Sequence, residues 1–140
     1  MPGLAVTADW VRQARGLPTV LDAAYGGFEA ILTVIGAYED TTSSVLAPFL
    51  LAATQAANGR DALLFAPSLP PRSHRRHPAA GEERGSTGGI GSAVANLSRL
   101  LAIQLTTTAA TEAHGADRVA CHDAARHATR IHDLLAGMSR

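Results

Sequence analysis

Apolar side chains recur at intervals of three and four residues along almost the whole chain, and the pattern fails in one place, between Ala66 and Gly91. That interval belongs to an α-helix laying one face against a core. No stretch alternates apolar and polar residues with a period of two, as a half-buried strand would. The chain has 140 residues, one domain's length. A chain of this size buries roughly 65–70% of its unfolded surface, enough for a core without staples. The expected fold is all-α: a single domain over 1–140, a bundle of four main amphipathic helices plus a short N-terminal helix.

Thr7 is placed to cap a first helix reaching Arg15, stopped by Gly16 and Pro18. Thr19 and Asp22 resemble a capping box opening a second helix to about Glu39. Its apolar face gathers Val20, Ala24, Phe28, Ile31, Val34 and Tyr38. Its thin opposite face holds Asp22, Gly26, Glu29 and Gly36, small enough in part to let another helix come close. A third helix, about Ser44 to Ala57, has no charged residue. A helix apolar nearly all round belongs at the centre of a bundle or in an interface. Val45, Phe49, Leu50 and Leu51 are its candidate interface residues. Asn58-Gly59 reads as its end or a bend, with one further turn from Arg60 to Phe65.

Residues 66–91 hold four prolines, from Pro67 to Pro78, and then five glycines, from Gly81 to Gly91. A connection of about 26 residues can span a helix in either direction. It is expected as a flexible Pro/Gly/Arg-rich linker that leaves the topology open. Ser92 then caps a fourth helix to about Ala113, with Val94, Leu97, Leu101 and Leu105 inward. The short turn His114-Gly115-Ala116 sends a fifth helix back antiparallel, from Asp117 to Gly137. Its inner stripe is Ala120, Ala124, His127, Ile131, Leu135 and Met138.

Composition removes several function classes. Twelve arginines, no lysine and twelve acidic residues give a formal charge of zero. Nucleic acid and anionic membranes need surplus positive charge, so neither is an expected partner. One cysteine, Cys121, excludes a disulfide framework and a cysteine-rich zinc site. The first twenty residues carry Asp9, Arg12 and Arg15 and no apolar core of a secretory signal. The most apolar stretch, Val20 to Tyr38, is interrupted by Asp22 and Glu29, against a membrane span. A cytoplasmic location is the expectation.

No motif commits the chain to a reaction. Thr87-Gly88-Gly89-Ile90-Gly91 before a helix suggests a phosphate loop, yet the required lysine is missing and Val94 stands where a dinucleotide fingerprint needs glycine. The basic run Arg72, His74, Arg75, Arg76 and His77 is followed by Glu82 and Glu83 and has no aromatic neighbour to stack on a base. Asn96-Leu97-Ser98 matches a glycosylation sequon within a helix. His122, His127 and His132 are five residues apart, which turns successive rings to nearly opposite sides of a helix. Metal ligands need a spacing of three or four. No metal and no cofactor is expected. Cys121 lacks an assignable histidine partner and reads as a small semi-buried filler.

His127 is the histidine on the inner stripe. Counting outward from the turn at Gly115 puts it level with Ile103 or Gln104, so Gln104, flanked by Thr107 or Thr108, is its expected partner, with Asp22, Glu29 or Tyr38 of the second helix within reach of the site. Two functions are carried forward. One is a non-enzymatic, self-associating interaction or accessory module, most simply a homodimer, with a further protein partner allowed. The other is a small-molecule-binding bundle, or a small enzyme, with an apolar pocket anchored by His127, Gln104 and Tyr38.

Overall fold

Five helices order the chain in the computed structural model: α1 (Leu4–Gln13), α2 (Leu17–Gly36), α3 (Leu46–Leu63), α4 (Thr87–Thr111) and α5 (Gly115–Ala136). The structure describes residues 4–37, 46–71 and 87–137. Among them there is no strand, so the all-α expectation holds. Tyr38, Val45, Met138 and the basic run 72–77 lie outside the described residues.

The first helix starts earlier than its cap signal suggested. Thr7 sits inside α1 facing the core, 2% exposed, and its hydroxyl has no hydrogen-bond partner among the described residues. Gly16 makes the turn that follows. Its φ of 86° is one that glycine adopts without strain. Gly16 also occupies the N-cap of α2, with Pro18 in the first turn, where a missing N–H costs least. The expected Thr19–Asp22 capping box is therefore not formed. Both residues lie within the helix, and Asp22 is buried.

α2 is the central helix: thirteen of its twenty residues are buried. It packs along α1, α3 and α4. Glycine sets two of these approaches. A Cβ at Gly27 would stand 2.9 Å from the Leu101 side chain of α4, and one at Gly59 of α3 would stand 2.6 Å from the ring of Phe28. Asn58-Gly59 thus neither ends nor bends α3 out of helix. Gly59 is a helical residue that makes room for a fully buried ring.

α3 continues to Leu63 and leaves through successive turns, with Phe65 N–H donating to the Ala62 carbonyl and Ala66 N–H to that of Leu63. Of the stretch expected as linker, residues 66–71 are described and pack back on the bundle. Ala66 is buried, and Ser68 donates its backbone N–H and its hydroxyl to the two carboxylate oxygens of Asp117, at 2.9 and 2.6 Å. Two hydrogen bonds to a charged acceptor hold a chain well. α4 begins at Thr87, ahead of Ser92, because Ile90 is a core residue at 1% exposure.

α5 packs between α4 and α3, and α1 lies along α2 and α4. Gln55 of α3 meets His127, while Ser68 just beyond α3 meets Asp117, so α3 and α5 run antiparallel. One core cluster draws residues from all five helices, among them Val11, Phe28, Leu63, Leu101 and Ile131.

Candidate functional site

The two polar residues expected to meet in one pocket are on different sides of the molecule. Gln104 points from α4 to the end of α1. Its amide nitrogen donates to the carbonyls of Val11, Arg12 and Ala14, at 2.8, 3.2 and 3.3 Å. The last carbonyls of a helix have no partner within it, and Gln104 supplies one. Arg15 does the same from the other direction, donating to the Arg12 and Ala14 carbonyls. His127 turns instead to α3, where its Nδ1 lies 2.6 Å from Oε1 of Gln55. Position along a hairpin fixes height but not azimuth, and Gln104 and His127 differ in azimuth. The Gln104–His127 pair is therefore corrected to Gln104–α1 and His127–Gln55.

An amide oxygen only accepts, so the contact places the His127 proton on Nδ1 and leaves Nε2 with its lone pair. His127 sits at the edge of the buried stripe and is half-buried. Burial lowers its pKa below the usual 6.5. Arg130 and Arg126 lower it further, against an opposing pull from Asp123. His127 is thus held toward its neutral form.

His127 also lines an open cleft of about 700 Å³ between α3 and α5. Asn58, Asp61 and Phe65 form one wall; Val119, Asp123 and His127 form the other. The charges there are compensated locally, Asp123 by Arg126 at 2.7 Å and Asp61 by Arg60 at 3.2 Å. Phe65 is 79% exposed and Val119 61%, so the cleft carries apolar surface at its rim. His122 lies on another side of α5, in a separate groove with Thr106, as five-residue spacing requires. Among the described residues no three His, Cys, Asp or Glu side chains stand together as metal ligands.

Cys121 is fully buried, deeper than the semi-buried place expected for it, and burial with nearby Asp117 pushes its thiol pKa up to about 11. A thiol held protonated is a poor nucleophile.

The interface candidates divide. Phe49 is 2% exposed and belongs to the core, a correction to its place in the surface set. Leu50 and Leu51 are 46% and 55% exposed. α3 was expected either at the centre or at an interface. α2 takes the centre and α3 lies at the edge, with these two leucines turned outward. Sequence reasoning missed Gln55 as the partner of His127. The signal was present, since Thr54 and Gln55 are the sole polar residues between Val45 and Ala57.

α2 is the one helix among the described residues long and apolar enough to cross a membrane, and 67% of that stretch is buried against the other helices. No protein-family model, curated protein or solved structure matches the chain.

Proposed function

We propose that this chain is a non-enzymatic, cytoplasmic, self-associating helical module, an interaction or accessory protein that works as a homodimer. Its four longer helices are read as a four-helix bundle, with α1 laid along α2 and α4 and residues 72–86 as the connector within a single domain. The circuit of packed pairs, α2 with α3, α3 with α5, α5 with α4 and α4 with α2, supports the bundle reading.

The observation that carries self-association is the outer face of α3. Leu50, Leu51, Leu64 and Phe65 are each between 46% and 79% exposed, and no residue from Leu46 to Gly59 is charged. A free monomer gains nothing from four such side chains in water, and each fully buried leucine contributes roughly 1.5–3 kcal/mol. Two copies meeting on the part of this face between Leu46 and Gly59 bring no like charges together. Light scattering across the micromolar range tests it. The expected mass is about 29 kDa, twice the 14.5 kDa chain, and a mass of one chain throughout overturns the reading.

A second reading is supported by the α3–α5 cleft, whose roughly 700 Å³ falls in the range of small-molecule sites. His127, fixed by Gln55, would be its polar anchor, for a bound ligand or for a small enzyme's chemistry. Gln104 is not part of that anchor, since its amide serves α1. Native mass spectrometry of protein from its own host decides between the two. A retained mass of a few hundred daltons that His127→Ala abolishes favours the ligand site, and bare dimer mass favours the module.

A further inference from the structure

We propose that two copies of this chain pair through antiparallel α3 helices, about a two-fold axis at the level of Ala56, so that Leu51 of each protomer enters the α3–α5 cleft of the other. This pairing rests on the self-association reading and specifies its geometry.

The outward residues of α3 and the turn after it are Ala47, Leu51, Thr54, Asn58, Asp61 and Phe65, all exposed. Their spacing is four, three, four, three, four, the repeat with which one helix meets another along a seam. The stripe is not uniform. Its first half carries the bulky Leu51, with exposed Leu50 on its flank, and its second half borders the cleft at Asn58, Asp61, Ala62 and Phe65. A two-fold interface must match a surface to itself, so a projection on one half must meet a recess on the other.

An axis at the level of Ala56 does this. It sets Ala47 opposite Phe65, Thr54 opposite Asn58, and Leu50 and Leu51 level with Asp61 and Ala62, where the cleft opens. Small meets large at the two ends, and hydroxyl meets amide near the centre. Charge selects the same arrangement. In a parallel pairing each Asp61 faces its own copy, and like charges directly opposed are unfavourable. In the antiparallel pairing the two Asp61 residues are about 15 Å apart along the helix, at 1.5 Å per residue. Each cleft receives the uncharged half of its partner's α3.

The face is large enough for a reversible dimer. An 18-residue helix is about 27 Å long, and two helices side by side are about 20 Å wide. Two such faces amount to roughly 1,100 Å² in projection, just below the ~1,200 Å² of stable complexes and within the range of weak, reversible ones.

Cross-linking of full-length chains tests the register. Thr54→Cys, Asn58→Cys and Leu51→Cys are prepared separately; the native Cys121 is buried and does not compete. Circular dichroism confirms that each variant is folded, as expected for exposed positions. A short bismaleimide should link Thr54→Cys to Asn58→Cys in a mixture, and should not link Leu51→Cys to itself, since those sites are about 15 Å apart along the helix in this register. Leu51→Glu should weaken dimerisation at least tenfold with unchanged helicity. Self-links at Leu51→Cys without the Thr54–Asn58 link would show another register and overturn this pairing while leaving self-association intact. A dimer by mass with neither link, or with Leu51→Glu unchanged, would place the interface elsewhere. A monomer by mass in the wild type removes both.

Discussion

α2 and α3 are alike in composition and unlike in surroundings. Both are rich in alanine and leucine, and both carry a glycine where a neighbour comes close. Thirteen residues of α2 are buried, but among the described side chains of α3 only Phe49, Ala52, Ala56, Gly59 and Leu63. Among the described residues the difference follows the helices packed most closely along each: α1, α3 and α4 for α2, and α2 and α5 for α3. The apolar character of α2 is required by the fold. The packing of the described helices does not account for that of the outer face of α3, on which the proposed self-association rests.

The joint between the two helices gives the largest expected effect. Phe28 is fully buried with its ring against Gly59. Phe28→Ala leaves a cavity and should cost about 3–5 kcal/mol, measured by urea unfolding. Leu51→Ala on the open face should change stability by less than about 0.5 kcal/mol. A comparable loss at Leu51 would break the distinction between the two helices. Next come the glycines. Gly59→Ala gains up to about 1 kcal/mol of helix propensity but drives its methyl into Phe28, a packing penalty of about 1–3 kcal/mol. Gly36→Ala meets nothing within 4 Å and should stabilise, by at most about 1 kcal/mol. Opposite signs for one chemical change are the expected result.

The helices were legible in the sequence because their apolar period is strong, and each was located to within a few residues at one end or the other. Three starts were misread because a hydroxyl ahead of an apolar run does not by itself begin a helix: Thr19 and Ser92, both exposed, lie inside α2 and α4. Thr7 faces the core, and Ile90 draws α4 back past Ser92 to Thr87. Asn58-Gly59 looked like an ending because its partner, Phe28, is thirty-one residues away in the chain. The candidate site was half legible. The place of His127 on the stripe and the missing charge around Leu50 and Leu51 were legible, and the structure puts His127 at the α3–α5 cleft and both leucines at the surface. The contact of His127 with Gln55 depends on how far α5 is rotated against α3, and no spacing within one helix encodes that rotation.

Each side of the molecule has one glutamine bond between elements, and these separate the two regions more finely. Gln104 serves carbonyls at the end of α1 that have no helical partner, so Gln104→Ala should cost about 1 kcal/mol, read as a lower urea midpoint at unchanged slope. Gln55→Ala should cost less, because half-buried His127 can turn to water instead.

The smallest effect is the one that depends on pH, and it belongs to the α3 side alone. Folding holds the pKa of His127 below 6.5 through burial and the nearby Arg130 and Arg126. The unfolded chain therefore takes up this proton first as pH falls. Stability from the neutral ring is fully present above about 6.5, is lost as pH drops below it, and levels off once the folded protein is protonated too. His127→Gln keeps an amide beside Gln55 and removes the titration, so it should flatten this part of the stability profile. The loss caused by Gln104→Ala should be the same at every pH, since neither an amide nor a carbonyl titrates there. If Leu51 of the partner subunit covers the cleft, it excludes more water from His127 and depresses the pKa of that ring further. Dimerisation should then weaken at still lower pH in the wild type, below the pKa of His127 in the folded monomer, and stay constant in His127→Gln. A dimer whose dissociation constant ignores pH while the stability slope persists would put His127 outside the covered surface and restrict the pairing to α3 itself.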